Sequence, residues 1–250
     1  MKILWHVEPE DVRKIKAFVQ TQNENPFVQL RIKRNLRENK PVISKEEFWK
    51  AIVSCLINTQ QRSGPDSIVT KFINSQPFPL GYSLCISQRD VRSFAQGVIQ
   101  DFGGLRRSNR IADELATNLD LLERTLWKPI FEILDTLRSA HSVEDEKRAS
   151  KFIHNHFKGF GPKQSRNLLQ SLGLTLYEIP IDSRITKWLN DFGFPVKLSA
   201  TALSDVNYYN FVSEGLQQLC AQCGVYPCVL DAAIFASFDG GGWTDDNVVW

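Results

Sequence analysis

Apolar positions recur along this chain at spacings of three and four, the period of helices with one buried face, and strict two-residue alternation is nearly absent. Pro9-Glu10-Asp11 opens a first helix with Val12, Ile15 and Val19 on one side, and Asn25-Pro26 caps a second. Ser44-Lys45-Glu46-Glu47 is a capping-box pattern that leads into Phe48, Ile52, Cys55 and Leu56. Residues 63–65 start a helix that buries Ile68, Val69, Phe72 and Ile73, and two further capping-box starts stand at 87–90 and 142–145. Between those two lie a helical segment at 105–116 and another that restarts at Pro129. Later helices are expected at 183–191, 204–223 and 227–237. The pattern predicts an all-α protein of about ten or more helices joined by short links. The segment 75–85, with Pro77, Pro79 and Gly81, reads as a flexible connection. The tail 239–250 reads as irregular, its Trp250 either a packing anchor or free.

Composition narrows this only slightly. The 250 residues suffice for one large or two small domains, and 42% hydrophobic with 23% charged residues is ordinary for a globular chain. A net charge of +2 means that an anionic partner must be met by a local patch. Such a patch exists at 151–190, where Lys151, Lys158, Lys163, Arg166, Arg184 and Lys187 face only Glu178 and Asp182. Five cysteines, an odd number scattered along the chain, argue against a disulfide framework and for a reducing compartment. The chain shows neither a signal-peptide pattern nor an apolar run long enough to span a bilayer, so a cytoplasmic protein is expected, nucleoid-associated if prokaryotic. Trp5, Trp49, Trp127 and Trp188 sit in apolar patterns and read as core.

The richest stretch is 157–184, FKGFGPKQSRNLLQSLGLTLYEIPIDSR. Gly159 and Gly161 free a tight turn of Cβ atoms, so a neighbouring backbone can approach and positive φ costs little. Pro162 suits a first helical position, where its missing N–H would be unpaired anyway. A helix opening there points free amide N–H groups and the positive end of its dipole outward, which is an anion site suited to a phosphate. The same positive end disfavours an ammonium, which makes Lys163 a candidate nucleophilic amine; its plain alternative is a surface lysine. Asp182 follows nineteen residues later on an Ile-Pro-Ile lead.

The pattern Phe157-x-Gly159-Phe160-Gly161-x-Lys163 followed by Asp182 resembles the helix-hairpin-helix DNA glycosylase superfamily, which includes endonuclease III and the 8-oxoguanine glycosylases. The resemblance extends over 48–192. FWKAIVSCLINTQQRS at 48–63 is similar to the family helix and loop in which Gln60 would fill the gap left by an extruded base, with Gln61 and Arg62 beside it on the DNA. Arg106, Arg107 and Arg110 resemble the basic helix start that precedes the hairpin. The resemblance implies two helical lobes, 44–172 and 1–43 together with 173–250, with the hairpin at a DNA-binding cleft. It implies a base-excision glycosylase with lyase activity, with Lys163 as Schiff-base nucleophile and Asp182 assisting at the sugar. Lys158, Gly159, Gly161, Arg166 and Arg184 would join the DNA contacts. The implied partner is double-stranded DNA carrying a damaged, oxidised base or an abasic site, met by a monomer without a membrane.

The sequence departs from the family in three places. Lys158 stands where proline is frequent, and Arg184 where many members have histidine. The iron–sulfur cluster of the endonuclease III branch needs four cysteines, whereas Cys220, Cys223 and Cys228 are three, so no cofactor and no metal site is expected. His154 and His156, two apart on a helix, do not share a face and read as non-ligands. Two other readings fit the same residues: a non-catalytic hairpin that binds DNA structure, and a helical adaptor whose glycines serve packing.

Overall fold

The structure, a computed structural model, describes residues 4–139, 142–240 and 242–248; Trp250 lies outside them. Thirteen α-helices and no strand are found among the described residues, so the chain is all-α. In order they are α1 Pro9–Thr21, α2 Pro26–Asn35, α3 Lys45–Ile57, α4 Ile68–Ile73, α5 Tyr82–Ile86, α6 Val91–Phe102, α7 Ser108–Leu121, α8 Trp127–Ser139, α9 Val143–His156, α10 Pro162–Ser171, α11 Ser183–Phe192, α12 Val206–Cys223 and α13 Pro227–Ser237. No single described helix is long and apolar enough to cross a membrane.

Local chemistry sets most of the starts. Ser44 and Glu47 form a reciprocal capping box at α3, and Asn25 accepts from the Phe27 N–H at α2. Ser142 caps α9 through the Asp145 N–H. Several starts differ from the sequence reading. The helix expected from 63 begins at Ile68 with Ser67 as its cap, and that expected from 87 begins at Val91 with Asp90 as its cap. In both, the side chain that reaches a backbone N–H three residues on lies later than the first candidate. Within 75–85 the short α5 forms, because Glu46 of α3 accepts from the Tyr82 and Ser83 N–H groups and stands in for a cap. The expected break before Pro129 is instead a wide π turn, Leu122–Leu126, that joins α7 to α8. Proline has no N–H for the residue four back, and the widened turn carries the helix past it.

Two helices are apolar nearly all round and therefore buried. Around α3, buried from 51 to 57 and carrying Phe48 and Trp49, pack α5, α7 and α10. Around α13 pack α1, α2, α11 and α12. Each fully buried Leu, Ile or Phe in such clusters contributes about 1.5–3 kcal/mol. Trp49 is fully enclosed and donates to the Leu80 carbonyl, whereas Trp5, Trp127 and Trp188 are only half-buried at the edge of the core. The tail is irregular but docked: Trp243 is buried against Phe27 and Phe235.

Helix α10 links the clusters. Near its start, Gln164 donates to the Cys55 carbonyl of α3, and near its end Gln170 donates to Asp231 of α13 at 2.7 Å. A buried carboxylate steadies the segment that follows, because Glu146 of α9 accepts from the N–H groups of Leu176, Tyr177 and Glu178 at 2.7–2.8 Å. Burial nevertheless pushes the Glu146 carboxyl up to about 7. The consequence is a fixed path from Lys163 to Asp182.

Candidate active site

The hairpin joins α9 to α10 through 157–161. Gly159 lies in the left-handed region at φ +85, and an added Cβ would stand 2.7 Å from Leu56 Cδ2 and 2.8 Å from the Glu114 carboxyl, so only glycine fits. Gly161 is different: its backbone is extended, at φ −81 and ψ −173, and nothing lies within 4 Å of an added Cβ. The space beside Gly161 is open. Buried Asn118 of α7 grips the turn from behind, accepting from the Lys158 N–H at 2.7 Å and donating to the Lys158 carbonyl at 2.9 Å. His154 Nδ1 meets the Phe160 carbonyl at 3.0 Å, so this ring braces the hairpin. With its backbone pinned, Lys158 itself is exposed on the surface.

Pro162 is the first residue of α10, and its cap Gly161 offers no side chain to the free N–H groups. Lys163 stands in that first turn, half-buried, on the wall of a cavity of about 660 Å³. Asp182 lines the same cavity from the other side, at the start of α11. Its Oδ1 accepts from the N–H groups of Arg184 at 2.8 Å and Ile185 at 3.0 Å, so the carboxylate is fixed by the helix it caps. Close by, the Lys163 charge opposes the effect of burial on the Cys55 thiol, which still stands at about 12. The cavity thus joins an amine, a carboxylate and an open helix N-terminus.

The loop after α3 forms the rim. Gln60 is exposed and strained, at φ +59, and Arg107 at φ +64 is the other non-glycine residue with positive φ among the described residues. The two are coupled: Arg107 Nη1 donates to the Thr59 carbonyl at 3.1 Å. Gln61 donates to the Ile57 carbonyl at 2.6 Å and accepts from the Arg106 N–H at 2.8 Å. Strained backbone persists where its surroundings over-determine it. Gln61 and Arg107 therefore hold Gln60 out, while Arg62 and Arg106 remain exposed beside it. Gln61, expected as a DNA contact, lines the cavity and braces this loop through its amide.

Arg166 is corrected. Its guanidinium is 5% exposed, ion-paired with fully buried Glu178, donates to Asn210 at 2.8 Å and lies over the Tyr209 ring, so it cannot face a phosphate. Arg184 lines the cavity, but its guanidinium pairs with Asp239 at 3.1 Å and stacks 3.9 Å from the Phe235 ring centre. That pair joins the tail to the start of α11.

Sequence reasoning missed the far wall of the cavity. There Arg31 of α2 pairs with Asp231 of α13 at 2.7 Å, and Gln170 donates to the same carboxylate oxygen. The side-chain amide oxygen of Gln170, Oε1, is buried with no partner. Burial pushes the Asp231 carboxyl up, the Arg31 charge holds it down, and the Asp182 charge adds to the rise. Phe27 and Phe235, 4.8 Å apart and stacked, line the cavity too. The sequence did hold a signal: Asp231 is the one acid in the otherwise apolar run PCVLDAAIFAS. Cys220, Cys223 and Cys228 are buried free thiols, each pushed up by burial, and no His, Cys, Asp and Glu group among the described residues is arranged to hold a metal.

No family model matches the chain, and no curated protein does. Solved structures do. An 8-oxoguanine DNA glycosylase of Methanocaldococcus jannaschii is similar at TM-score 0.65 and 17% identity, over 93% of this chain and 96% of that one. The fold is shared with 8-oxoguanine DNA glycosylases. A structure of the M. jannaschii 8-oxoguanine glycosylase/lyase with a 15mer DNA containing 8-oxoguanine gives TM-score 0.68 at 17% identity, over 93% and 100% of the two chains. The Thermotoga maritima 8-oxoguanine DNA glycosylase gives 0.67 at 13%, over 92% and 97%. At such identities the likeness is one of fold, and the chemistry must be argued from the residues of this chain.

Proposed function

We propose that this protein is a base-excision DNA glycosylase with associated lyase activity, acting on duplex DNA that carries an oxidised purine, 8-oxoguanine first, or an abasic site. The observation that carries the reading is the placement of Lys163 and Asp182 in one cavity directly behind an uncapped helix N-terminus. A base inside a duplex cannot be reached, so the nucleotide is extruded into the cavity while Gln60, held out on its strained loop, enters the vacated stack. The N–H groups beside Gly161 hold a backbone phosphate, with Lys158, Arg62 and Arg106 around it. Lys163 as a free amine attacks C1′, the C1′–N bond breaks, and the base leaves with a proton. The attached nitrogen loses a proton and opens the C1′–O4′ bond, O4′ taking up a proton, and the Schiff base so formed allows loss of a C2′ proton and cleavage of the C3′–O bond with the 3′ phosphate as leaving group. Asp182, oriented by two N–H groups, stabilises the cationic sugar.

The far wall supports a purine of the guanine type. Such a base presents adjacent N–H donors, and Asp231 and the free side-chain oxygen of Gln170 are acceptors between aromatic side chains. The two lobes divide at 44 and 172, as the packing around α3 and around α13 suggests, and the enzyme works as a monomer without an iron–sulfur cluster. Borohydride reduction with 8-oxoguanine and abasic duplexes tests the proposal. A covalent adduct is expected from the wild type and none from Lys163→Gln; absence of an adduct from folded wild type on every lesion of a panel overturns it.

A further inference from the structure

A second cavity, of about 350 Å³, lies at the other end of α10. From Lys163 to Ser171 the helix rises about 12 Å, so this cavity is separate from the first. Its walls carry Arg34 and Arg37 from the end of α2 and Lys50 from α3. The carboxylate on the wall, Glu47, is committed to the α3 capping box, where it accepts from the Ser44 N–H at 2.8 Å and the Ser44 hydroxyl at 2.7 Å.

Arg34 is the unusual residue. Its Nε donates to Asn35 at 3.1 Å and one terminal nitrogen donates to the Gln170 carbonyl at 3.1 Å. The other, Nη1, is buried with no partner, and Arg34 makes no ion pair among the described residues. The side chain cannot swing away freely, because its methylenes pack so closely on Gly173 that an added Cβ there would stand 2.8 Å from Arg34 Cγ. Burial, then the nearby charges of Arg31 and Arg37, disfavour its cation, and the more distant Asp231 carboxylate opposes them without pairing with it. A buried guanidinium without a counter-charge is costly, and an unmade hydrogen bond adds to that cost.

We propose that this cavity is a binding site for a phosphate group carried by a small molecule. Arginine forks match phosphate oxygens, and two arginines with a lysine exceed what a monoanionic carboxylate would balance. A phosphate there lies among Arg34, Arg37 and Lys50, which line the cavity. The site reports on the reaction cavity through one side chain: Arg34 holds the carbonyl of Gln170, whose amide holds Asp231. The inference stands on the second cavity alone and does not depend on the proposed reaction.

Calorimetric titration with inorganic phosphate and with adenosine 5′-monophosphate, at constant ionic strength, tests it together with melting. Wild type should bind one equivalent saturably, and at a hundredfold excess over Kd its Tm should rise by roughly 5 to 10 °C. Arg37→Gln combined with Lys50→Gln, at exposed or half-exposed positions that leave the fold intact, should weaken binding at least about tenfold. Arg34→Met should abolish it if that variant folds. Lys158→Ala should bind as wild type does. No saturable binding, equal binding by the Arg37→Gln/Lys50→Gln variant, or loss of binding in Lys158→Ala, which would place the anion at the hairpin, each overturns the proposal. So does a flat phosphate titration in wild type when the double variant loses affinity for duplex DNA, since the cavity would then serve a DNA phosphate.

Discussion

Helices α10 and α11 both begin on the larger cavity, and they begin differently. At α11, Asp182 folds back on the N–H groups of Arg184 and Ile185, so the helix supplies its own anion. At α10, Gly161 has no side chain to offer and Pro162 has no N–H, so the remaining donors stay open to an external anion. One terminus fixes a carboxylate and the other leaves room for a phosphate. What differs is a single cap residue, and the same local geometry is thereby put to opposite uses.

The sharpest way to break this comparison is at the two side chains proposed to react. Lys163→Gln should lower strand cleavage by about a thousandfold or more while leaving melting unchanged, measured by single-turnover assays on lesion duplexes. Asp182→Asn keeps an oxygen that can cap α11 but loses the charge, so turnover should fall by about a hundredfold or more with little change in Tm. Asp182→Ala should add a stability loss of about 1 kcal/mol by denaturant melts. Equal losses of stability in the Asn and Ala variants would show that the cap needs the charge.

Gly161→Asp converts the α10 start into a copy of the α11 start. Its extended backbone and empty surroundings admit the side chain, so the fold should gain up to about 1 kcal/mol. Duplex affinity should fall about tenfold or more by anisotropy, because the new carboxylate occupies the phosphate's donors. Gly159→Ala is the control with the opposite signature: a stability loss of about 1–3 kcal/mol from the crowded left-handed site. The smallest effect is expected from Lys158→Ala, which should lower the slope of log affinity against log salt by about 1 and weaken all sequences alike.

The helical class and most helix starts were legible because capping and periodicity are local. Lys163 and Asp182 were legible because a glycine turn, a proline and an acid before a helix advertise their backbone roles. Arg166 was misread because its charge resembles its neighbours' in sequence, and only the approach of Glu178 and Asn210 withdraws it from solvent. The bracing role of Gln61 was not legible for a related reason: the carbonyl of Ile57 is local, but the N–H of Arg106 comes from another segment.

The sequence by itself determined that the chain is helical, where its hairpin turns, and which amine and carboxylate begin helices, since each depends on residues within a few positions. Tertiary structure alone decided that the two helix starts share one cavity, that Arg31, Gln170 and Asp231 close its far wall, and that Arg34 is left without a counter-charge at a second one. Those properties depend on burial and on partners distant in the chain, as with the Arg31–Asp231 pair that joins α2 to α13. Desolvation decides whether such a charge is spent, and it is set by what packs around the side chain.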